Sequence, residues 1–366
     1  MKEINDILKA YRNALASGKK TALATVVKVE GSSYRQPGAR MLVTEDGMLT
    51  GAISGGCLEG DALRKALLAI YQKQNKLVTY ETSDENVVEF SVQLGCNGIV
   101  NILFEYIDDS YHNNPIKILE KSLESRDASV VVTQFSLSKN TEQKGTVLFY
   151  KGIQDSSFEN EDLRQSLQEV LHTRTSLIKD FIFDDTEQSV LLQYMPSPVS
   201  LLAVGAGNDV KPVVEIADLL GWEVTVADGR MTHATARRFP GAKNVIVSKA
   251  QELLSKFKVD ERTYVLLMTH NYQYDLEVLK LVLKTDCPYI GTLGPKTKLL
   301  RMINDLNNEG IILTDQDLNR IYGPIGLDIG AETSEEIALS AISEIKAVMQ
   351  GRKGTSLRYR TDKIHG

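Results

Sequence analysis

A cysteine ends a glycine-rich stretch in the first half of the chain. Ser54, Gly55, Gly56 and Cys57 lead into residues 61–68, an amphipathic run that predicts a helix. Backbone amides at a helix start can bind an anion, and a thiol placed there can bind a soft metal or an electrophile. Acidic residues in the first turn oppose the thiolate, and the histidine and asparagine of a cysteine hydrolase are missing. We therefore expect a site that holds a soft, anionic ligand rather than a nucleophile.

Two arginines and a second cysteine could contribute to this site, whereas a third cysteine is expected elsewhere. Arg35 and Arg40 lie in a loop between predicted strands and could clamp a phosphate bidentately, although surface charges at a hairpin entry are an equal alternative. Cys96 has glycines on both sides before a strand, and a second thiol would suit a soft metal. Cys287 precedes a proline at a strand start and predicts a buried apolar residue.

A second glycine-rich turn, in the other half of the chain, has the pattern of a nucleotide-binding turn. Gly205 and Gly207 follow a short apolar strand, and Asp228 ends the next strand, where an acid can accept both ribose hydroxyls. Val210 replaces the third glycine of the fingerprint, and Asp209 brings a negative charge to the place of a pyrophosphate. A tight turn kept only for packing is the alternative.

Two loops are expected to border this turn. If the strands follow the Rossmann order, His270 ends the strand beside the first one and faces the glycine turn. Gly294 and Lys296, followed by Lys298, come after the next strand and offer an amide and two cations. A single histidine is more often structural than catalytic, so both roles remain open for His270.

Length and patterning predict the elements that position these residues. A chain of 366 residues suggests two domains. Residues 1–195 predict an α+β domain with a mostly antiparallel or mixed sheet, and a proline-rich linker follows. Residues 196–350 alternate strands and helices, which predicts a Rossmann-like, doubly wound parallel sheet and an α/β fold class overall. Residues 351–366 predict a basic, mobile tail.

Composition excludes several classes of protein. The formal net charge of −6 argues against a general nucleic-acid binder. No apolar stretch approaches the roughly 20 residues that span a membrane, and the first 20 residues lack the apolar core of a signal peptide. Three scattered cysteines do not form a disulfide framework. We expect a cytoplasmic protein that binds neither membrane nor nucleic acid.

Together these motifs resemble the XdhC/CoxI family of maturation factors for molybdenum enzymes. The most specific matches are ISGGCLEG at residues 53–60 and GLDIGAETSEEIA at residues 326–338. Further matching segments are residues 31–43, 94–98, 201–230 and 289–298. The family commonly has Cys-Gly-Gly in the second cysteine motif, whereas this chain has Cys96-Asn97-Gly98.

The resemblance implies a chaperone that binds molybdenum cofactor (molybdopterin), protects it during sulfuration and inserts it into a xanthine dehydrogenase-type apoenzyme. A cysteine desulfurase is the second implied partner, and a homodimer would suit a factor that shields a labile ligand. Cys57 would contact the molybdenum or its sulfido ligand, and Cys96 would do so more weakly. The residues that we expect to bind a cofactor, which is molybdopterin or, in the second half, NAD(P) or another nucleotide, are Arg35, Arg40, Ser54, Gly55, Gly56, Cys57, Gly205, Gly207, Asp228, His270, Gly294 and Lys296.

Two other functions are compatible with parts of the pattern, and a third is not. An NAD(P)-dependent oxidoreductase would use the turn between Gly205 and Asp228, with His270 as acid and base, but no substrate-activating set stands beside this histidine. An interaction module would use the glycine turns only structurally. A molybdenum hydroxylase itself is excluded, because the chain is too short and lacks the clustered cysteines of iron–sulfur domains. We expect a non-catalytic insertion factor rather than an oxidoreductase.

Overall fold

The structure is a computed structural model that describes residues 1–56, 58–81, 98–111, 113–138, 141–152, 160–183 and 186–361. Cys57 and Cys96, the two cysteines expected at the ligand site, lie outside these residues. The chain forms two compact units, Met1–Ser197 and Pro198–Gly366. Among the described residues, no helix is both long enough and apolar enough to cross a membrane.

The first unit contains two antiparallel sheets, where the sequence pattern indicates one. The first has the order β3-β2-β1-β5-β4, with strands β1 (Thr21–Gly31), β2 (Arg40–Thr44), β3 (Leu49–Gly51), β4 (Lys76–Glu81) and β5 (Gly98–Tyr106). The second has the order β7-β6-β9-β8, with strands β6 (Ser129–Phe135), β7 (Gly145–Tyr150), β8 (Leu177–Phe183) and β9 (Thr186–Met195). Asp46 and Gly47 lie in the hairpin turn between β2 and β3, and Gly47 has the positive φ of 86° that such a turn requires.

The two sheets of this unit pack face to face, and two of the described helices cover the outer faces. Successive β1 side chains point to opposite sides, so Ala22 and Ala24 pack on one helix while Leu23 and Val27 pack on the second sheet. The helices are α1 (Lys2–Ala16), α2 (Glu59–Gln72), α3 (Pro115–Leu123) and α4 (Glu161–Thr173). Helix α2 covers the outer face of the first sheet, and its first residue directly follows the cysteine-containing turn.

The second unit has a six-stranded parallel sheet, which confirms the predicted doubly wound fold. The strands are β10 (Ser200–Val204), β11 (Glu223–Asp228), β12 (Asn244–Val247), β13 (Thr263–Leu267), β14 (Tyr289–Thr292) and β15 (Ile321–Tyr322). Their order, β12-β11-β10-β13-β14-β15, is the Rossmann order 3-2-1-4-5-6. The order reverses between β10 and β13, so a crevice opens at the carboxyl edge of these two strands.

Helices lie on both faces of this parallel sheet. The described helices are α5 (Val210–Leu219), α6 (Leu253–Lys256), α7 (Tyr272–Val282), α8 (Lys296–Asn308), α9 (Asp315–Asn319) and α10 (Ser334–Met349), with a short 3₁₀ turn at Leu357–Tyr359. Helices α5 and α10 pack on the face of Leu201, whereas α7 and α8 pack on the face of Leu202. Since both faces are covered, β10 is fully buried and its sequence reads as a continuous apolar run.

Candidate functional site

Ser54 organises the glycine-rich turn of the first unit. Its hydroxyl accepts hydrogen bonds from the amides of Gly56 and Leu58, each at 3.1 Å, and donates to the carboxylate of Glu59. The same carboxylate accepts from the Ser54 amide at 3.1 Å. Glu59 is the first residue of α2, so these bonds fix the turn directly to the helix start. The Gly56 amide therefore already has an internal partner and is not a free donor for an anion.

The outer side of the turn is open and lies next to an exposed aromatic ring. Gly56 has φ of 110°, which favours glycine, and a Cβ there would meet nothing within 4 Å. At Gly55, a Cβ would lie 3.4 Å from Cγ of Tyr34, a side chain that is 70% exposed. The turn thus offers free space beside one glycine and a solvent-facing ring beside the other.

The structure places Arg35 beside this turn. Its Nε donates to the carbonyl of Ala52 at 3.0 Å, and its guanidinium forms an ion pair with Glu3 of α1. Glu3 also accepts the backbone amide of Arg40 at 3.1 Å. Arg35 remains partly exposed, with a side chain 29% accessible, so a cation is held at the edge of the turn.

Arg40 is not a loop residue with a free guanidinium, as the proposed phosphate clamp requires. It is the first residue of β2 and is fully buried, with Nη1 donating to the carbonyl of Gly38 at 2.9 Å. Burial lowers the pKa of Arg40 to about 10, while the nearby Glu105 carboxylate acts in the opposite direction. Strand pairing opposite Thr25 turns this side chain inward, away from any surface ligand.

Glu105 is the acidic counterpart of Arg40 in the interior of the first unit. It is 1% exposed, and its carboxylate accepts from the amide and the hydroxyl of Thr146 at 2.5 and 3.0 Å. Burial raises the pKa of Glu105, although the bonds from Thr146 and the charge of Arg40 lower it in part. A buried charge of each sign thus lies inside this unit.

In the second unit, the glycine turn touches the neighbouring strand end directly. Gly205 has φ of 131°, and a Cβ there would overlap the carbonyl of Met268. The Gly205 amide donates to the carbonyl of Ala227 at 2.7 Å, so this residue also contacts the end of β11. Only glycine fits here, because the backbone conformation and the close approach both exclude a side chain.

Asp228 does not present free acceptor positions for ribose hydroxyls, which the sequence pattern suggests. Its Oδ1 accepts from the amide and Nε of Arg230 at 2.8 and 3.0 Å. Its Oδ2 accepts from the amide of Ala206 and Nη2 of Arg230 at 2.8 and 2.7 Å. A carboxylate has about four acceptor positions, and all of them are filled by this chain. Asp228 thus holds Arg230 and the glycine turn in place.

The crevice also contains the expected histidine, which the fold brings to the glycine turn. His270 Nε2 lies 2.8 Å from Oδ2 of Asp209, the residue before α5. His270 has φ of 57°, a left-handed conformation that is uncommon for a residue with a side chain. The Asp209 carboxylate also lies so close to Gly207 that a Cβ at Gly207 would overlap it.

Lys298, rather than Lys296, is the lysine that the structure anchors at the next strand end. Its Nζ donates to Asp275 Oδ2 at 2.7 Å and to the carbonyl of Leu293 at 2.9 Å. Asp275 is fully buried and also accepts from the hydroxyl of Thr269 at 2.6 Å. Lys296 is exposed at the start of α8, and the aliphatic part of Lys298 packs beside Gly294.

The remaining sequence-based expectations concern metal ligands. Among the residues that the structure describes, no group of three or more histidine, cysteine or acidic side chains could hold a metal ion. Cys287 is 1% exposed, which confirms its prediction as a buried residue, and burial raises the pKa of its thiol to about 12.

Sequence reasoning did not identify the cation next to Asp228 or the acid next to Arg35. Arg230 follows Asp228 by two residues at a strand end, a spacing that allows an arginine to fold back onto the carboxylate. Glu3 lies far from Arg35 in sequence, and no local pattern could reveal this pair. The Arg238 guanidinium, which donates to the Ala206 carbonyl at 2.7 Å, was missed for the same reason.

Two family models match the chain. Residues 201–345 match the XdhC Rossmann domain, and residues 14–81 match the XdhC and CoxI family. The two matches cover the parallel-sheet domain and the glycine turn with its flanking strands, respectively.

Similar proteins span nearly the whole chain. A probable xanthine dehydrogenase subunit of Bacillus subtilis (strain 168) is 29% identical over 331 residues, which is 90% of this chain and 94% of that protein. The molybdenum cofactor insertion chaperone PaoD of Escherichia coli (strain K12) is 23% identical over 343 residues, 93% of this chain and 87% of that protein.

A crystal structure extends this similarity to three dimensions. It is described as a xanthine dehydrogenase from Bacillus halodurans and is similar with a TM-score of 0.71 at 27% identity, covering 96% of this chain and 98% of that chain. The fold, the two matched models and these relatives agree, and the chain belongs to the XdhC and CoxI family.

Proposed function

We propose that this protein binds molybdenum cofactor at the glycine turn of residues 51–59 and inserts it into a molybdenum hydroxylase of the xanthine dehydrogenase type. The observation that carries the proposal is the arrangement of Tyr34 and Arg35 around an open turn that Ser54 and Glu59 fix, in the segment whose sequence includes Cys57. The names of the relatives, which describe an insertion chaperone and part of a dehydrogenase, support the same role.

The chemistry of the cofactor matches these groups. Molybdopterin, the cargo, carries a phosphate, a flat pterin ring and a dithiolene that binds a soft metal. The partly exposed guanidinium of Arg35 can pair with the phosphate. The exposed ring of Tyr34 offers a surface on which the pterin can stack. A thiol at position 57 would then lie near the metal, because it directly follows the glycines of the turn.

The proposal also includes a source of sulfur and an oligomeric state. A cysteine desulfurase would supply the sulfur of the sulfido ligand while the protein protects the cofactor. A homodimer, which would suit a factor that shields a labile ligand, and a cytoplasmic location belong to the same proposal. Light scattering of the purified chain and co-purification with a desulfurase are the direct measurements for the oligomeric state and the desulfurase contact.

The main test is cofactor loading in a host that makes molybdenum cofactor. We expect the purified wild-type chain to carry molybdenum, measured by inductively coupled plasma mass spectrometry, together with a pterin mass. Cys57→Ala is expected to lose most of the bound metal and to fail in activating an apo-hydroxylase. If Cys57→Ala loads and activates as well as the wild type, the cysteine has no role in binding.

The aromatic contact has its own matched control. We expect Tyr34→Ala to weaken pterin retention several-fold, since stacking of a base on an aromatic side chain contributes about 1–3 kcal/mol. Tyr71→Ala removes an equally large ring, 86% exposed on α2, away from the turn and is expected to bind normally. Equal retention in both variants would place the pterin elsewhere.

A further inference from the structure

The acid at the end of β11 holds an arginine instead of accepting ligand hydroxyls. We propose that Arg230 binds a phosphate group on the ribose of a nucleotide in the crevice of the second unit. This proposal is independent of cofactor loading at the glycine turn of the first unit. Arg230 is not among the cofactor-binding residues that the sequence predicts.

The Asp228 carboxylate has no acceptor position left for a ligand hydroxyl. In a Rossmann domain specific for NAD, an acid at this position accepts hydrogen bonds from the ribose hydroxyls. Here the amides of Ala206 and Arg230 and two guanidinium nitrogens of Arg230 use all four acceptor positions of Asp228. The side chain of Asp228 is 4% exposed, so ligand atoms have little access to it.

The Arg230 guanidinium is fixed on one side by Asp228 and is partly exposed. Its Nε and Nη2 face Asp228, which leaves Nη1 without a hydrogen bond within the part of the chain that the structure describes. The side chain is 48% exposed. The bidentate contact with Asp228 fixes the plane of the guanidinium, so its unused N–H groups keep a defined direction. Such a group has donors only, and a phosphate dianion is its natural partner.

One further cation and one further acid, Arg238 and Asp209, lie at the same glycine turn. Arg238 donates to the carbonyls of Ala206 and His233 and to the side chain of Asn208, so a second guanidinium supports the same turn. Asp209 is a second acid, after Asp228, that acts electrostatically on Arg230, and His270 Nε2 contacts Asp209. Its negative charge disfavours a pyrophosphate on the glycine turn. The contact of a ribose phosphate with Arg230 would therefore contribute a large share of nucleotide affinity.

The experiment is titration calorimetry of the full chain with four probes: NADP⁺, NAD⁺, adenosine 2′-monophosphate and adenosine 5′-monophosphate. The 2′-phosphorylated member of each pair is expected to bind about tenfold more tightly or better, as for a charge-assisted hydrogen bond. Arg230→Gln is expected to reduce this preference to less than about twofold, and Arg230→Lys to retain part of it. Arg237→Gln removes an exposed arginine in the same segment and should leave the preference unchanged.

Three results would overturn the proposal: binding of NAD⁺ as tight as that of NADP⁺, no binding of any probe, or an equal loss in Arg230→Gln and Arg237→Gln. Circular dichroism melting separates binding from folding, since Arg230 also holds Asp228. Arg230→Lys keeps a cation near Asp228. If Arg230→Gln folds but loses the preference for the 2′-phosphate, and Arg230→Lys recovers part of it, Arg230 contacts the phosphate.

Discussion

His270 Nε2 lies 2.8 Å from Asp209 Oδ2, and this contact joins the end of β13 to the turn after β10. The two residues are 61 positions apart in sequence, and they meet because the strand order reverses between these strands. The left-handed backbone at His270 directs its ring to this position. The same contact places a carboxylate over Gly207, where the phosphates of a dinucleotide would otherwise lie.

The first prediction concerns this carboxylate. Asp209→Asn is expected to raise the affinity for NADP⁺ several-fold, because it removes a negative charge from the glycine turn. The unfolding free energy should change by less than about 1 kcal/mol, because the His270 side chain is 66% accessible and a contact so open to solvent contributes little. Calorimetry and urea unfolding measure the two effects. Glu215→Gln, an exposed acid on α5, is the control, and unchanged or weaker binding in Asp209→Asn would contradict the charge argument.

The second prediction is the pH dependence of the contact between Asp228 and Arg230. Burial raises the pKa of Asp228, but hydrogen bonds from Arg230 and Ala206 outweigh it, and the net pKa lies below the ordinary value. A lowered pKa in the folded state means that this group stabilises the fold above its unfolded pKa of about 3.9 and loses that contribution as the pH falls through the folded pKa.

Asp228→Asn should therefore be less stable than the wild type by about 1–3 kcal/mol at pH 7. The difference should stay constant down to about pH 5 and shrink below about pH 4. Urea unfolding at three pH values measures this, with the exposed Asp218→Asn as a control. A difference that grows on acidification would refute the assignment.

The third prediction concerns the buried contact of Lys298 with Asp275. Asp275→Ala is expected to cost about 3–5 kcal/mol, because it leaves a largely buried cation without its partner. Asp275→Ala combined with Lys298→Met should recover part of this loss. Denaturant unfolding gives the values, and Lys296→Met, at an exposed position, should change stability by no more than about 0.5 kcal/mol. Additive losses in the double variant would show that the two side chains are not coupled.

The fourth prediction concerns Glu105 inside the first unit. Its pKa is raised by burial, so its contribution to stability is complete below the unfolded pKa of about 4.3 and is lost as the pH rises through the folded pKa. Glu105→Gln should remove this decline, which begins above about pH 4.3, while it keeps an acceptor for the Thr146 amide. Urea unfolding over a series of rising pH values is the measurement. Glu45→Gln, an exposed acid, should keep the wild-type slope, and a wild-type slope in Glu105→Gln would be the contrary outcome.

The sequence was sufficient for the elements whose signals are local. Thr333 and Glu336 have the spacing of a capping box and form one at the start of α10, and the strand pattern around Asp228 led to the parallel sheet. Helix α3 was missed, although Asn114 and Pro115 form a recognisable helix start in which the asparagine side chain accepts the Lys117 amide. Strand β8 was also missed, because it lies at a sheet edge and half of its side chains contact solvent.

The site residues were harder to predict, because their roles depend on partners distant in sequence. Arg40 resembles a surface clamp in sequence, yet strand pairing turns it into the interior. Asp228 stands at the expected strand end, but its acceptor positions are filled by Arg230 and Ala206. His270 was placed correctly, because the Rossmann order alone determines which strand ends are neighbours.

Gly205 limits how far the backbone of the crevice can move. Its amide donates to the carbonyl of Ala227, and its Cα lies against the carbonyl of Met268, so one residue joins three strand ends. None of these three strand ends can shift outward alone without breaking that junction. Across homologous proteins, changes of ligand preference should therefore arise by exchange of side chains such as Arg230 on a stationary backbone, and insertions should accumulate at the opposite, amino-terminal edge of the sheet.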